Sequence, residues 1–137
     1  MAHDIGEVSR RLVIERAGHR CEYCLVHEDS AGFPHQIDHI ISRKHGGSSG
    51  LGNLAYACVL CNRHKGSDIA SVDASGRTIR LFDPRRDLWD EHFKLDGPVI
   101  QPLTPIGEVT ARVLRLNASE RMIERQILQS LGQYGKD

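Results

Sequence analysis

The sequence predicts a small α+β fold pinned by cysteines rather than by a large apolar core. Three observations carry this expectation. Cys21-x2-Cys24 and Cys58-x2-Cys61 form two matched knuckles. Between them, short β-branched runs flank a loop rich in glycine and serine. The last third of the chain carries helix-cap signals. At 137 residues with aromatics at 5%, the chain can bury one core but gains from a staple.

The elements follow in order. Residues 4–17 space Ile5, Val8, Leu12 and Val13 like a helix face, with Asp4 as candidate cap and Gly18 as stop. Cys21 to Cys24 is a tight turn. Residues 35–41 are apolar and β-branched enough for a strand, residues 42–52 read as a loop, and residues 54–58 form a second short strand. A helix is expected from near Asn62 to about Val72, weakened in its middle by Gly66. Residues 73–76 make a turn, 77–82 alternate like a strand, and 83–93 read as a capped turn or short helix. In that last segment Trp89, His92 and Phe93 form a small core cluster. Residues 99–103 could add a strand. Thr104-Pro105 is an N-cap followed by proline at the first helical position, opening a helix to about Leu116. Its stripe of Ile106, Val109, Val113 and Leu116 belongs to the core. Asn117 with Glu120 three residues on reads as a capping box for a final helix ending at Gly132. Residues 1–75 are thus expected to form the core with its N-terminal helix and knuckles. Residues 76–137 form a strand and helix extension packed on it, one domain in all.

Charge narrows the function classes. Lys plus Arg equals Asp plus Glu at 18 each, for a net charge of zero, which argues against a general polyanion binder. The distribution is less neutral. From His39 through Ser67 there is no carboxylate, while Arg43, Lys44, Arg63 and Lys65 fall there. A locally basic face suits a polyanion gripped at one place. No apolar run approaches a membrane span and no secretion signal opens the chain, so a cytoplasmic, reducing location is expected. There, four cysteines read as metal ligands rather than disulfides.

Each knuckle presents two thiolates, and two knuckles complete the tetrahedron that zinc prefers in closed structural sites. Cys21, Cys24, Cys58 and Cys61 are therefore expected to hold structural Zn²⁺. A redox pair would need only one knuckle in a thioredoxin-like context, which is absent. With all four positions filled by protein, this ion has no open site for chemistry.

Between and just after the knuckles lie Ile37-Asp38-His39-Ile40-Ile41, Gly46-Gly47, Gly52-Asn53-Leu54 and Asn62-Arg63-His64-Lys65-Gly66. In this order the motifs resemble the HNH (His-Asn-His) endonuclease superfamily over roughly Arg20 to Asp68. The resemblance implies a ββα-metal (His-Me finger) core and hydrolysis of phosphodiester bonds, most naturally in double-stranded DNA. It also implies His39 as general base, Asp38 and Asn62 as ligands of a divalent cation, and Asn53 as brace of the loop. The residue types suit those roles. An imidazole can take a proton from water at neutral pH, and Asp and Asn offer the hard oxygens that Mg²⁺ or Mn²⁺ takes.

Adjacent strand residues point to opposite faces, so Asp38 and His39 can serve one site only if the strand ends or bends there. His64 is an alternative to Asn62 as second ligand, and Ser42 stands where many relatives carry proline. Fixing Cys61 fixes the start of the helix, whose N-terminal amides could then face a phosphate. Arg43, Lys44, Arg63, His64 and Lys65 are the expected nucleic-acid contacts. His45 reads as solvated, and His3, His19, His27 and His35 as structural or surface residues. Two rival classes stay open: a catalytically silent, zinc-stabilised nucleic-acid-binding module, and a structural domain with incidental histidines.

Overall fold

The computed structural model describes residues 5–135. The first helix, α1 (Glu7–Arg16), starts from Gly6 in extended conformation; Asp4 and His3 lie outside the described residues. Val13 is its one fully buried side chain, seated with Ile5, Ile14 and Ala17 against Leu54 and Tyr56. Val8 and Leu12 face solvent instead of joining the core.

The knuckle turn at Cys21 to Cys24 leads into an antiparallel hairpin of β1 (Gln36–His39) and β2 (Leu54–Ala57), with Asp38 opposite Ala55 and His39 opposite Leu54. Every residue of β2 is buried. An unpaired strand edge would leave backbone groups orphaned, and other chain segments cover it here. Glu22 donates its backbone N–H to Tyr56 O at 2.8 Å and accepts from Tyr56 N through its carboxylate at 2.9 Å. The Arg16 guanidinium donates to Leu54 O, and Arg85 pairs with the Glu22 carboxylate.

Helix α2 (Val59–Lys65) follows β2 directly, and the Cys58 sulfur at its N-cap accepts from Cys61 N at 3.4 Å. It therefore starts inside the second knuckle rather than near Asn62. It also stops at Gly66, whose φ of 53° ends the helical path. The helix expected to reach Val72 gives way to β3 (Ala70–Val72), which pairs antiparallel with β4 (Thr78–Arg80) across the turn at Asp73 to Gly76.

After α3 (Trp89–His92), β5 (Phe93–Asp96) and β6 (Val99–Pro102) make a third hairpin; the sequence reading contained only the second of these strands. Helix α4 (Pro105–Val113) is capped by Thr104, whose hydroxyl accepts from Gly107 N at 3.0 Å. Gly107 permits a close approach: a Cβ there would stand 2.3 Å from His92 O.

Helix α5 (Ser119–Ser130) has Ala118, not Asn117, at its N-cap. The capping box does not form because Asn117 spends its amide on Ile100 N and Ile100 O, at 2.8 and 2.9 Å, tying α5 to β6. One buried cluster runs from the cysteines through Phe82, Phe93 and Ile100 to Val109, Leu116 and Leu128. Trp89 and Phe93 pack with ring centroids 5.1 Å apart. No helix among the described residues is long and apolar enough to cross a membrane.

Candidate metal centre and active site

The two knuckles meet. Cys21, Cys24, Cys58 and Cys61 are all buried and unbridged, with their sulfurs within 4.8 Å of one another. Cys24 Sγ and Cys58 Sγ stand 3.7 Å apart. A tetrahedron with metal–sulfur bonds of about 2.3 Å has sulfur–sulfur edges of about 3.8 Å, so the four donors suit a zinc ion.

Backbone amides add support. Cys24 N donates to Cys21 Sγ at 3.4 Å, mirroring the Cys61 to Cys58 contact in the second knuckle. The amide of α2's first turn that belongs to Cys61 is thus used by sulfur, and it does not face the outside as a phosphate cradle. Burial pushes the Cys21 and Cys61 thiols well up, whereas donation from neighbouring thiols, helped by Arg121, holds Cys24 well down. Such a cluster resists losing all four protons until a cation compensates, which ties folding to the metal.

Residues far along the chain close around this centre. The Arg121 guanidinium, 5% exposed, donates to Cys61 Sγ at 3.0 Å and lies 3.8 Å from Cys58 Sγ. It also donates to Leu114 O at 2.7 Å. Trp89 Nε1 donates to Tyr23 O and the Tyr134 hydroxyl to Cys24 O, at 2.9 and 2.6 Å. None of these contacts carried a motif, since a lone Arg, Trp or Tyr gives no signal of a partner 60 or more residues away.

The second constellation lies at the hairpin. Strand β1 ends at His39, and its pleat sends Asp38 and His39 to opposite faces. Asp38 turns inward and is 4% exposed. Its Oδ2 accepts from the Tyr23 hydroxyl at 2.9 Å and pairs with Lys65 Nζ at 3.3 Å. Burial pushes the Asp38 carboxyl above the usual carboxylate range, against the pull of Lys65 and Tyr23.

Lys65 itself is 2% exposed and donates to Ile40 O at 3.0 Å and His39 O at 3.3 Å. The expectation that Lys65 is a surface phosphate contact is therefore corrected. As the last residue of α2 it points down into the hairpin, where Asp38 and two carbonyls satisfy its charge.

His39 occupies the other face, half-buried, with Nε2 3.0 Å from Ser49 Oγ. Arg43 Nη1 donates to the same hydroxyl at 3.3 Å. The loop between the strands is drawn tight by Asn53, which accepts from Ile41 N and donates to Ile41 O and Ser48 O, each at 2.8 Å. Gly47 makes this closure possible, because a Cβ there would stand 1.7 Å from Ile41 O.

Asn62, three residues before Lys65 on the face of α2 turned toward β1, donates its amide to Gln36 Oε1 at 2.6 Å. Arg43, Lys44 and Arg63 are exposed. His64 faces the C-terminal helices, where burial and the charges of Arg115 and Arg121 lower its pKa; that is not the neighbourhood of Asp38. Tyr23, Gln36 and Ser49 were missed in the sequence. Only Tyr23 left a trace there, by sitting inside a knuckle.

Residues 21–68 match the family described as HNH endonuclease. No curated protein and no solved structure matches the chain. The matched segment holds both knuckles, the β1–β2 hairpin and α2, and ends just before β3. From Cys21 to Asp68 the chain therefore matches an HNH endonuclease domain, and that segment carries four cysteines placed to hold one metal ion.

Proposed function

We propose that the chain is a metal-dependent endonuclease that hydrolyses phosphodiester bonds of DNA, with structural zinc on the four cysteines. The observation that carries this reading is the meeting of His39, Ser49 and Arg43 at one hydroxyl on the accessible end of the hairpin. An imidazole able to accept a proton and a guanidinium able to hold a phosphate then share one spot. His39 takes the proton of the attacking water as its oxygen bonds to phosphorus, and the P–O bond to the leaving oxygen breaks. Asn53 keeps the loop carrying Ser49 in place. Arg43, Lys44 and Arg63 contact the backbone phosphates, which positions the strand without reading sequence.

Asp38 and Asn62 would hold the catalytic Mg²⁺ or Mn²⁺. Their surroundings suit a cation, since Asp38 and the carbonyls of His39 and Ile40 already converge on one, the Lys65 ammonium. When bound, such an ion neutralises phosphate charge and stabilises the leaving oxygen.

The same caging favours a second reading, a zinc-stabilised nucleic-acid-binding module without chemistry, because both Asp38 oxygens are engaged by Tyr23 and Lys65. Incubating zinc-loaded protein with supercoiled plasmid and Mg²⁺ or Mn²⁺ decides between them. Cleavage that falls by about 100-fold or more in a folded His39→Ala protein supports the nuclease, since a general base contributes about that much. Plasmid binding without cleavage under either ion selects the silent module.

A further inference from the structure

Lys65 is a charged side chain where a surface residue was expected. Its Nζ has four oxygens from three residues around it: Asp38 Oδ1 at 3.4 Å and Oδ2 at 3.3 Å, Ile40 O at 3.0 Å and His39 O at 3.3 Å. A carboxylate and two backbone carbonyls are also the donors that hard divalent cations take. An ammonium and a dication cannot share one buried carboxylate at this range without strong repulsion.

The displaced group has somewhere to go. Lys65 lines a cavity of about 170 Å³ that Asp68 and Asp83 also line, along with Arg86 and with Arg80, whose charge is already paired to Asp87. Its backbone lies at the end of α2, next to Gly66, and its stem has four rotatable carbons.

We propose that Lys65 is the internal counter-cation of the candidate active site. Its ammonium fills the oxygen cage at the end of β1 when no divalent ion is bound, and the ion enters by displacing it toward Asp68 and Asp83. Lys65 is then a positioning residue. It keeps Asp38 and the carbonyls of His39 and Ile40 arranged around a positive charge before the metal arrives, and it weakens metal binding by competing for the cage. This inference rests on the proposed role of Asp38 as a cation ligand.

The test uses zinc-loaded full-length protein and Mn²⁺ as the probe. Acetylation of each lysine by an amine-reactive ester is mapped by mass spectrometry, with exposed Lys44 as internal reference. Lys65 should be protected without Mn²⁺ and label at least about tenfold faster at saturation, a change that requires no variant. In parallel, Mn²⁺ affinity is measured by calorimetry. Lys65→Met should bind at least about tenfold more tightly than wild type, because the competing charge is gone, and Asp38→Asn should lose the ion. If Mn²⁺ binds and Asp38→Asn abolishes it, while Lys65 labelling and Lys65→Met affinity stay unchanged, the displacement inference is overturned and the ligand role of Asp38 stands. If neither wild type nor Lys65→Met takes up Mn²⁺ beyond the zinc, the cation-site reading falls and this inference falls with it.

Discussion

Replacing Arg121 by Met tests whether the C-terminal helix is wired into the metal centre. The guanidinium is buried and donates to two sulfurs, Cys61 Sγ at 3.0 Å and Cys58 Sγ at 3.8 Å, and to two carbonyls, Leu114 O at 2.7 Å and Arg115 O at 3.3 Å. Burial opposes its charge, but the thiolates of Cys61, Cys24 and Cys58 outweigh that and hold it above the ordinary arginine range. A four-thiolate zinc site carries a net charge of −2, so Arg121 neutralises about half of it. Met keeps the stem's volume and removes the donors. Breaking one side of a buried ionic contact costs about 3–5 kcal/mol. For a chain of this length, that lowers the melting temperature by about 10–15 °C. Thermal unfolding followed by circular dichroism reads the loss, and a colorimetric chelator reads the rate of zinc release. Arg125→Met is the control. Arg125 is equally buried but donates to Pro98 O, Leu116 O and Asn117 Oδ1 rather than to sulfur. It should destabilise the fold without matching the acceleration of zinc release. An Arg121→Met protein that melts with the wild type, or two variants that release zinc equally fast, would refute the reasoning.

Three further outcomes are expected. Cys58→Ser should abolish cooperative unfolding and stoichiometric zinc in metal analysis, because Cys58 is at once a ligand and the N-cap of α2; a folded variant that retains full zinc would contradict this. Gly47→Ala should cost about 3 kcal/mol, read as a lowered urea midpoint, since its Cβ would collide with Ile41 O and force the Asn53-braced loop open. In acid, Arg80 donates to both oxygens of Asp87 and holds its pKa down to about 2. A carboxyl depressed on folding contributes stability above its unfolded value, near 4, and that stability is lost as pH falls from about 4 to about 2. With Arg80 36% exposed, solvent screening limits this to about 1 kcal/mol. Urea midpoints measured at pH 5 and pH 2.5 should therefore differ by less in Asp87→Asn than in wild type.

What was legible in the sequence and what was not divides on physical grounds. Paired knuckles are a local pattern whose meaning survives any fold, and the four sulfurs converge. Thr104-Pro105 is equally local and caps α4. The strand expected over residues 35–41 is present, and its ladder covers Gln36–His39. The misreadings turn on partners outside the segment being read. Ala70 to Val72 scanned as the tail of a helix, but pairing with Thr78 to Arg80 makes it a strand once Gly66 has broken the helical path. Asn117 carried the signature of a cap, yet Ile100, 17 residues upstream, takes its amide. Lys65 sat among basic surface residues, and only the inward turn of Asp38 explains its burial.

Residues 76–137 do more than pack on the segment that carries the knuckles. The HNH match ends at Asp68, yet both knuckles are completed by groups beyond that point. Trp89 and Tyr134 donate to carbonyls of the first knuckle, and Arg121 donates to a sulfur of the second. A knuckle carbonyl or thiolate buried without a donor is costly, so residues 21–68 cut free would expose or strand groups that the whole chain satisfies. The four-cysteine centre therefore joins three chain segments instead of two. The first knuckle carries Tyr23, which holds Asp38, and the second carries α2, which ends in Lys65. Through those two residues the metal centre, and with it the C-terminal extension, fixes the inner side of the strand whose outer side presents His39.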